Sequence, residues 1–324
     1  MPKRRVIHLP VTIVIPVRNG EKFLRRAVKS ALVQDPAEVI IVDNNSTDGT
    51  RQLIIKLMRG DDRVKWLKCK RQGASAARNL GLRRARSRWI QFLDADDELD
   101  EGKIERQIAR AESTTQWIIG GYRNRFSDGT ITENIPHDDP WKGLVHRYRI
   151  GCTHANLYRR RALLDIGGWR EDLPDNQDTN LHFDLLKSGQ LYQLQHAVRC
   201  TYHHHASPDR VGTGDPTGGN RRRTQLLERV NRHLRTNRPD YWRANSPYFR
   251  GALLRALRVY ATHDLGAAAG AWEGFLKRGT DTAPPELISP LLWRSYRTLG
   301  FKRTESLRLA LAPLLPAALK NRLK

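Results

Sequence analysis

Residues 11–50 read VTIVIPVRNGEKFLRRAVKSALVQDPAEVIIVDNNSTDGT, and this stretch decides the fold. Val11 to Ile15 is an unbroken β-branched run closed by Pro16, the pattern of a strand buried on both faces. Glu21 to Gln34 follows, with apolar residues at Phe23, Leu24, Ala27, Val28, Ala31 and Leu32, the stripe of an amphipathic helix. Val39 to Val42 is a second buried strand. Asp48 can cap a helix whose apolar face is Leu53, Ile54 and Leu57. Outward from this unit the alternation continues, with a strand at Val64 to Leu67 and good helix formers from Ala74 to Ala85. A strand at Trp89 to Leu93 and a helix at Lys103 to Ala111 follow. Continuous rather than alternating apolar strands, each followed by a helix, predict an α/β fold: a Rossmann-like, mostly parallel sheet with helices on both faces.

From Trp117 the pattern changes. A hairpin is expected to turn at Ser127-Asp128-Gly129, and 134–150 reads as irregular. Asn156 to Tyr158 leads into a helix near Arg160 to Ile166 that ends at Gly167-Gly168. A further helix is expected over Thr179 to Lys187, closing at Gly189. Gly, Pro, Asp and Thr crowd Ser207 to Asn220, which sets a boundary between a domain at 1–215 and a basic, mainly helical region at 216–324.

The chain has 324 residues and a net charge of +23, of which +14 falls in 216–324. Such a charge points to anionic partners: phosphates, nucleic acid or an acidic membrane surface. Three widely spaced cysteines exclude a disulfide framework and a Cys-based zinc site, and fit a reducing compartment. No apolar run is long enough to cross a bilayer. Lys3-Arg4-Arg5 before a short apolar stretch reads as a basic tail ahead of a first strand rather than as a signal peptide. The expected location is cytoplasmic, peripheral on the inner face of the membrane. The Leu- and Ala-rich stretch Leu307 to Leu323, flanked by Lys and Arg and broken by Pro313 and Pro316, either lies on an anionic surface or packs on the protein itself.

Polar clusters stand where three predicted strands end: Val17-Arg18-Asn19, then Asp43 to Thr50, then Asp94 to Asp100. In open α/β sheets ligands bind beyond the carboxyl ends of the strands, so the three imply one site. Asp94-Ala95-Asp96-Asp97 is the densest acidic group. Carboxylates so close repel one another unless a cation lies between them, and hard oxygen ligands suit Mg²⁺ or Mn²⁺. Without a cation the same run reads as the acidic start of a helix.

IVIPVRNG, IIVDNNSTDGT, GASAARNLGL and FLDADD, in this order, resemble the family 2 glycosyltransferases of the GT-A fold, over roughly residues 11–210. Each motif alone is weak, and four in matching order are specific. The resemblance implies an inverting transfer of sugar from a nucleotide-sugar donor to a hydroxyl acceptor. The implied acceptor is a glycan or lipid-linked molecule, in bacterial polysaccharide, lipopolysaccharide or glycolipid synthesis. It assigns Pro16, Val17, Asn19, Asp43, Asn44 and Asp48 to the nucleotide. The family often has Asp-Asp where this chain has Asp43-Asn44. Gly73 and Arg78 lie in the segment over the donor diphosphate, where a guanidinium fits anionic oxygens, although Arg78 by itself also reads as a residue on a solvated helix face. Asp96 is implied as a metal ligand, with Asp94 toward ribose or metal and Asp97 supporting the turn. Gly167-Gly168-Trp169 precedes Asn176-Gln177-Asp178, so Asp178 takes the place of the general base, Gln177 replaces the usual Glu, and Asp175 competes. In Tyr202-His203-His204-His205, His205 matches a histidine that completes the metal shell or touches the diphosphate. Neighbouring strand residues face opposite ways, so three adjacent histidines cannot share one metal.

Two alternatives stand beside this. A metal-dependent nucleotidyltransferase would need a Gly-rich phosphate loop near the first strand, where only Gly20 lies. A basic nucleic-acid-binding protein would fit the charge, but no recognised nucleic-acid-binding motif is present, so no nucleic acid is expected.

Overall fold

The β-branched run at Val11 to Ile15 forms the middle of β1 (Leu9–Val17), where Val11, Ile13, Val14 and Ile15 are wholly buried in a computed structural model of the chain. The structure describes residues 8–146, 149–205, 215–274 and 286–314. Both faces of β1 are covered. Ile13 and Ile15 share one core with Leu24, Ala27, Val28 and Ala31 of α1 (Leu24–Leu32). Val14 points the other way, toward Gly81 of α3 (Ala74–Arg84). A strand covered on both faces has no polar side to show, which is why its sequence does not alternate.

The remaining elements of the first unit are β2 (Pro36–Asp43), α2 (Thr50–Gly60), β3 (Val64–Lys68), β4 (Trp89–Phe92), β5 (Glu98–Leu99) and α4 (Lys103–Ala109). They continue through β6 (Trp117–Arg125), β7 (Ile131–Asn134), α5 (Pro140–Val145), β8 (Leu157–Arg159), α6 (Arg160–Asp165), α7 (Gln177–Lys187) and β9 (Tyr192–His203). The sheet runs β3-β2-β1-β4-β8-β6-β9-β5, with β7 paired to β6. β3, β2, β1 and β4 are mutually parallel. β8 then lies antiparallel to both β4 and β6, β9 is parallel to β6, and β5 is antiparallel to β9. The sheet is therefore parallel in its first half and mixed in its second. β6 and β7 form the expected hairpin.

One expected irregular stretch is ordered. Within 134–150 the chain forms α5, started by Asp139, whose carboxylate accepts from the Trp141 and Lys142 amides, with Pro140 at the first helical position. Pro lacks the N–H that a first turn leaves unpaired, so the pair is a strong start signal.

The chain divides into two compact units, Met1–Arg210 and Val211–Lys324. The second unit contains α8 (Pro216–Asn237), α9 (Pro239–Ala261), α10 (Leu265–Trp272), α11 (Pro290–Leu299), α12 (Phe301–Leu311) and a 3-10 turn at Ala312–Leu314. Asp215 caps α8 by accepting from the Gly218 amide, with Pro216 at the first position. Phe301 stacks between Trp272 and Tyr296 and anchors α12. Glu305, also fully buried, accepts from the Tyr296 hydroxyl and pairs with Arg308 and Arg258. Of the predicted Leu307 to Leu323 stretch, residues 315–323, Pro316 among them, lie outside the described residues, as does the basic tail at 3–5. Among the described residues no helix is long and apolar enough to cross a membrane. Cys69, Cys152 and Cys200 are all buried free thiols.

Candidate active site

Because β2 and β4 flank β1 in parallel, the polar clusters after all three strands meet at one sheet edge. The first two loops are stitched together. Asn19, at φ 51°, donates its backbone N–H to Ser46 Oγ, and its side-chain oxygen accepts from the Thr47 amide at 2.9 Å. Asn tolerates this left-handed backbone better than most residues. Pro16 and Val17 are buried. Asp43 Oδ1 accepts from the Ser46 amide at 3.0 Å, folding the loop after β2. Asp48 accepts from the Thr50 amide at 3.0 Å and the Glu21 amide at 3.2 Å. Partial burial pushes its carboxyl up, but the Thr50 and Glu21 hydrogen bonds prevail and hold it below its ordinary value. Asp48 thus braces the turn before α2, but it is not the cap the sequence suggested: the N-cap is Gly49, and no side chain caps it.

Asn44 is held from both ends of its side chain. Its amide nitrogen donates to Arg71 O at 2.7 Å, and its oxygen accepts from the Gly73 amide at 2.7 Å. Both ends of the side chain clip the loop between β3 and α3. Gly73 follows at φ 123°, a conformation that disfavours any side chain although the space beside it is open.

Arg78 is 6% exposed, which overturns the picture of a solvated helix face. Its Nη2 donates to Asp94 Oδ1 at 2.6 Å, its Nη1 donates to Gln177 Oε1 at 3.1 Å, and its guanidinium stacks 4.5 Å from the Trp169 ring centre. The fork therefore joins α3, the acidic loop and the start of α7. Trp169 is itself clamped by Asn79, which accepts from its amide and donates to its carbonyl, both at 2.8 Å. A Cβ on Gly168 would stand 2.6 Å from that Asn79 oxygen, and Gly168 has φ 74°, so two constraints select glycine here.

Asp178 does not cap its helix: the α7 N-cap is Asn176, and no side chain caps it. Instead Asp178 Oδ2 accepts from the Thr153 hydroxyl at 2.6 Å. Burial pushes its carboxyl above the ordinary value, Arg78 opposes this, and the Asp94 charge adds to it. Gln177 Nε2 donates to Leu173 O at 2.9 Å, so this amide bridges Arg78 and the turn before α7. A glutamate there would face a carbonyl with no proton to offer. Asp175 bonds to the Asn176 amide at 2.6 Å.

The acidic loop splits by function. Asp97 is buried, accepts from the His203 amide at 2.9 Å and pairs with His154 Nδ1 at 3.1 Å. Burial raises its carboxyl to about 6. Burial pushes His154 down, but Asp97 prevails and raises it well above its ordinary value. Asp97 thus supports the turn and ties it to the end of β9. Asp96 meets His205, Oδ2 to Nε2, at 2.8 Å, and His205 stacks on Phe23 at 4.4 Å. The three histidines diverge: His203, the last residue of β9, goes to Glu98 at 2.7 Å and His204 to Asn124 at 3.0 Å. Among the described residues no group of three His, Cys, Asp or Glu side chains is gathered to hold a metal. Asp96 and His205 offer one oxygen and one nitrogen, while Asp94 Oδ1 is engaged by Arg78. Two protein donors fit a divalent cation that takes its other ligands from substrate phosphates and water. Thr153 and His154 were not singled out in the sequence. They sit in an isolated polar tripeptide with no periodicity, and only the fold brings them to Asp178 and Asp97.

Comparison with known proteins agrees with this layout. Residues 12–167 match the family model described as Glycosyl transferase family 2. A putative teichuronic acid biosynthesis glycosyltransferase, TuaG of Bacillus subtilis, is 33% identical over 163 residues, 47% of this chain and 63% of TuaG. The GalNAc(5)-diNAcBac-PP-undecaprenol beta-1,3-glucosyltransferase of Campylobacter jejuni is 31% identical over 197 residues, 56% of this chain and 61% of that enzyme. The chain thus spans less than two thirds of the length of both relatives. Among solved structures, S. aureus TarS 1-349 in complex with UDP-GlcNAc superposes with a TM-score of 0.56 at 15% identity, covering 92% of this chain and 90% of that one. A likeness at that identity speaks for the fold alone. With four motifs in order, their loops gathered at one sheet edge and a family match from the first strand to the Gly-Gly turn, residues 12–167 are similar to glycosyl transferase family 2, and the chain has the GT-A fold.

Proposed function

We propose that the chain transfers a sugar from a nucleotide-sugar donor to an acceptor hydroxyl, inverting the anomeric carbon, in the synthesis of a bacterial cell-envelope glycan. The observation that carries this is Asp178: a half-buried carboxylate, held by Thr153 and raised by burial, beside the buried Arg78 and its partner Asp94. A general base needs a fixed orientation and a proton affinity above that of a free carboxylate, and this residue has both. In the proposed reaction Asp178 takes the acceptor's hydroxyl proton as that oxygen attacks from the face opposite the leaving nucleoside diphosphate. Arg78 orients the diphosphate side through its fork to Asp94 and Gln177. Asp43, Asn19 and the backbone of Pro16 and Val17 hold base and ribose. Asp96, with His205, would hold Mg²⁺ or Mn²⁺, which when bound neutralises the departing diphosphate.

UDP is the favoured nucleotide. TarS is described in complex with UDP-GlcNAc, and Asn44, being committed to the Arg71–Gly73 loop, leaves Asp43 to meet the base. The Campylobacter jejuni relative's name specifies an undecaprenol-linked glycan and that of TuaG teichuronic acid, which supports a glycan or lipid-linked acceptor. The charge of 216–324 supports peripheral attachment to an anionic membrane surface.

The test is turnover of UDP-sugars with Mn²⁺, with the product anomer read by NMR. The expected product is inverted, and a retained configuration overturns the mechanism. Asp178→Asn should keep the rise in melting temperature given by UDP and lose about 10²–10⁴-fold in kcat. Undiminished kcat in that variant removes Asp178 as the base.

A further inference from the structure

The outer side of α12 is apolar where a helix facing water is ordinarily polar. Leu307 is 54% exposed and Leu311 53%, and Leu314 in the turn beyond them is 78% exposed. Arg303, Leu307 and Leu311 follow one another at i, i+4 spacing, so they form one row along the helix. The opposite side is fully engaged, by Phe301 against Trp272 and Tyr296 and by Glu305 against Arg258, Arg308 and Tyr296. The helix therefore buries Phe301, Thr304 and Glu305 within its own unit and leaves the Leu307–Leu311 row exposed.

Charge selects what would meet the other. Between Leu287 and Leu314 the chain carries Arg294, Arg297, Lys302, Arg303 and Arg308 against a single acid, Glu305. That acid is fully buried and paired with two arginines, so it contributes no negative charge to the outer surface. Lys302, Arg303, Arg294 and Arg297 are exposed. A cation-flanked row of exposed leucines matches the boundary between anionic headgroups and acyl chains, where apolar burial and charge attraction add. It is a poor match for nucleic acid, which offers no apolar phase. We infer that the outer row of α12 and the following turn, Leu307, Leu311 and Leu314 with Arg303, flanked by Lys302 on the next exposed side of the helix, is the surface by which the chain docks on an anionic lipid membrane. This deepens the attachment proposed above and is independent of the transfer chemistry.

The experiment is sedimentation of the full chain with phosphatidylglycerol-containing vesicles and with pure phosphatidylcholine vesicles, at low and high salt. The wild type should bind the anionic vesicles at low salt and be released at high salt. Leu307→Ser/Leu311→Ser/Leu314→Ser, changing only exposed side chains, should fold with an unchanged melting temperature and bind about tenfold more weakly or worse. Lys302→Gln/Arg303→Gln should also bind more weakly, with a shallower salt dependence. If the leucine variant binds like wild type, attachment stands but this surface is wrong. If the wild type fails to bind anionic vesicles at low salt, attachment and surface both fall. Self-association abolished by the leucine variant, without vesicle binding, would overturn the inference in favour of a second copy as the occupant.

Discussion

Burial raises the Asp178 carboxyl above its ordinary 3.8, and a general base works only when deprotonated. The proposed acid limb of the kcat–pH profile therefore lies above pH 3.8. On that limb the rate rises about tenfold per pH unit and then levels once the carboxyl has lost its proton. The limb should disappear in Asp178→Asn and shift in Thr153→Ala, because losing the hydroxyl that donates to the carboxylate moves its pKa further up. Profiles of kcat against pH for the three proteins check this, and an unmoved limb in both variants assigns the titration elsewhere. At this scale the sequence was informative about which carboxylates converge and less so about their partners. Asp94, Asp96 and Asp178 are visible as motif positions, but Arg78 reads equally well as an exposed helix residue until Trp169 and Asp94 are seen to enclose it. Asn44 reads as a base-contacting residue, and only the position of the Arg71–Gly73 backbone shows its amide to be a structural clip.

Close approach between α3 and β1 holds the Arg78 fork over the sheet edge. A Cβ built on Gly81 would stand 2.3 Å from Val14 Cγ1, and Val14 is wholly buried at the centre of the sheet. Gly81→Ala should gain helix propensity but overpack this contact, for a net loss of about 1–3 kcal/mol. Denaturant unfolding measures it, and a variant as stable as wild type would show that α3 can move away at no cost. The elements legible in the sequence are those marked by a mostly apolar run, β1 to β4, by an apolar stripe, α1 and α2, or by a run of helix formers, such as α3. β5, with two residues, and β8, with three, are too short to show a period, and they exist because neighbouring strands supply their partners. β9 is long but half-exposed and irregular in burial, so no alternation marks it. The α5 start, Asp139 followed by Pro140, was present as a local signal and was masked by the irregular residues around it.

Across the whole molecule the net charge is +23, while the proposed donor is a polyanion. Long-range attraction of this kind raises encounter rates and is screened by salt, whereas chemistry in a partly enclosed site is screened far less. Raising ionic strength from about 0.05 to about 0.5 M should therefore raise the donor KM several-fold with little change in kcat, as the Debye length shrinks about threefold. Steady-state kinetics across salt concentrations check this, and a kcat that falls in step with KM would point to salt acting on the chemistry instead. Three cysteines in 324 residues, each free and buried, also make the native chain a poor target for thiol-reactive dyes. A cysteine introduced at a chosen exposed position would then accept a maleimide fluorophore against a quiet background, so donor and vesicle binding could be followed from a single labelled site.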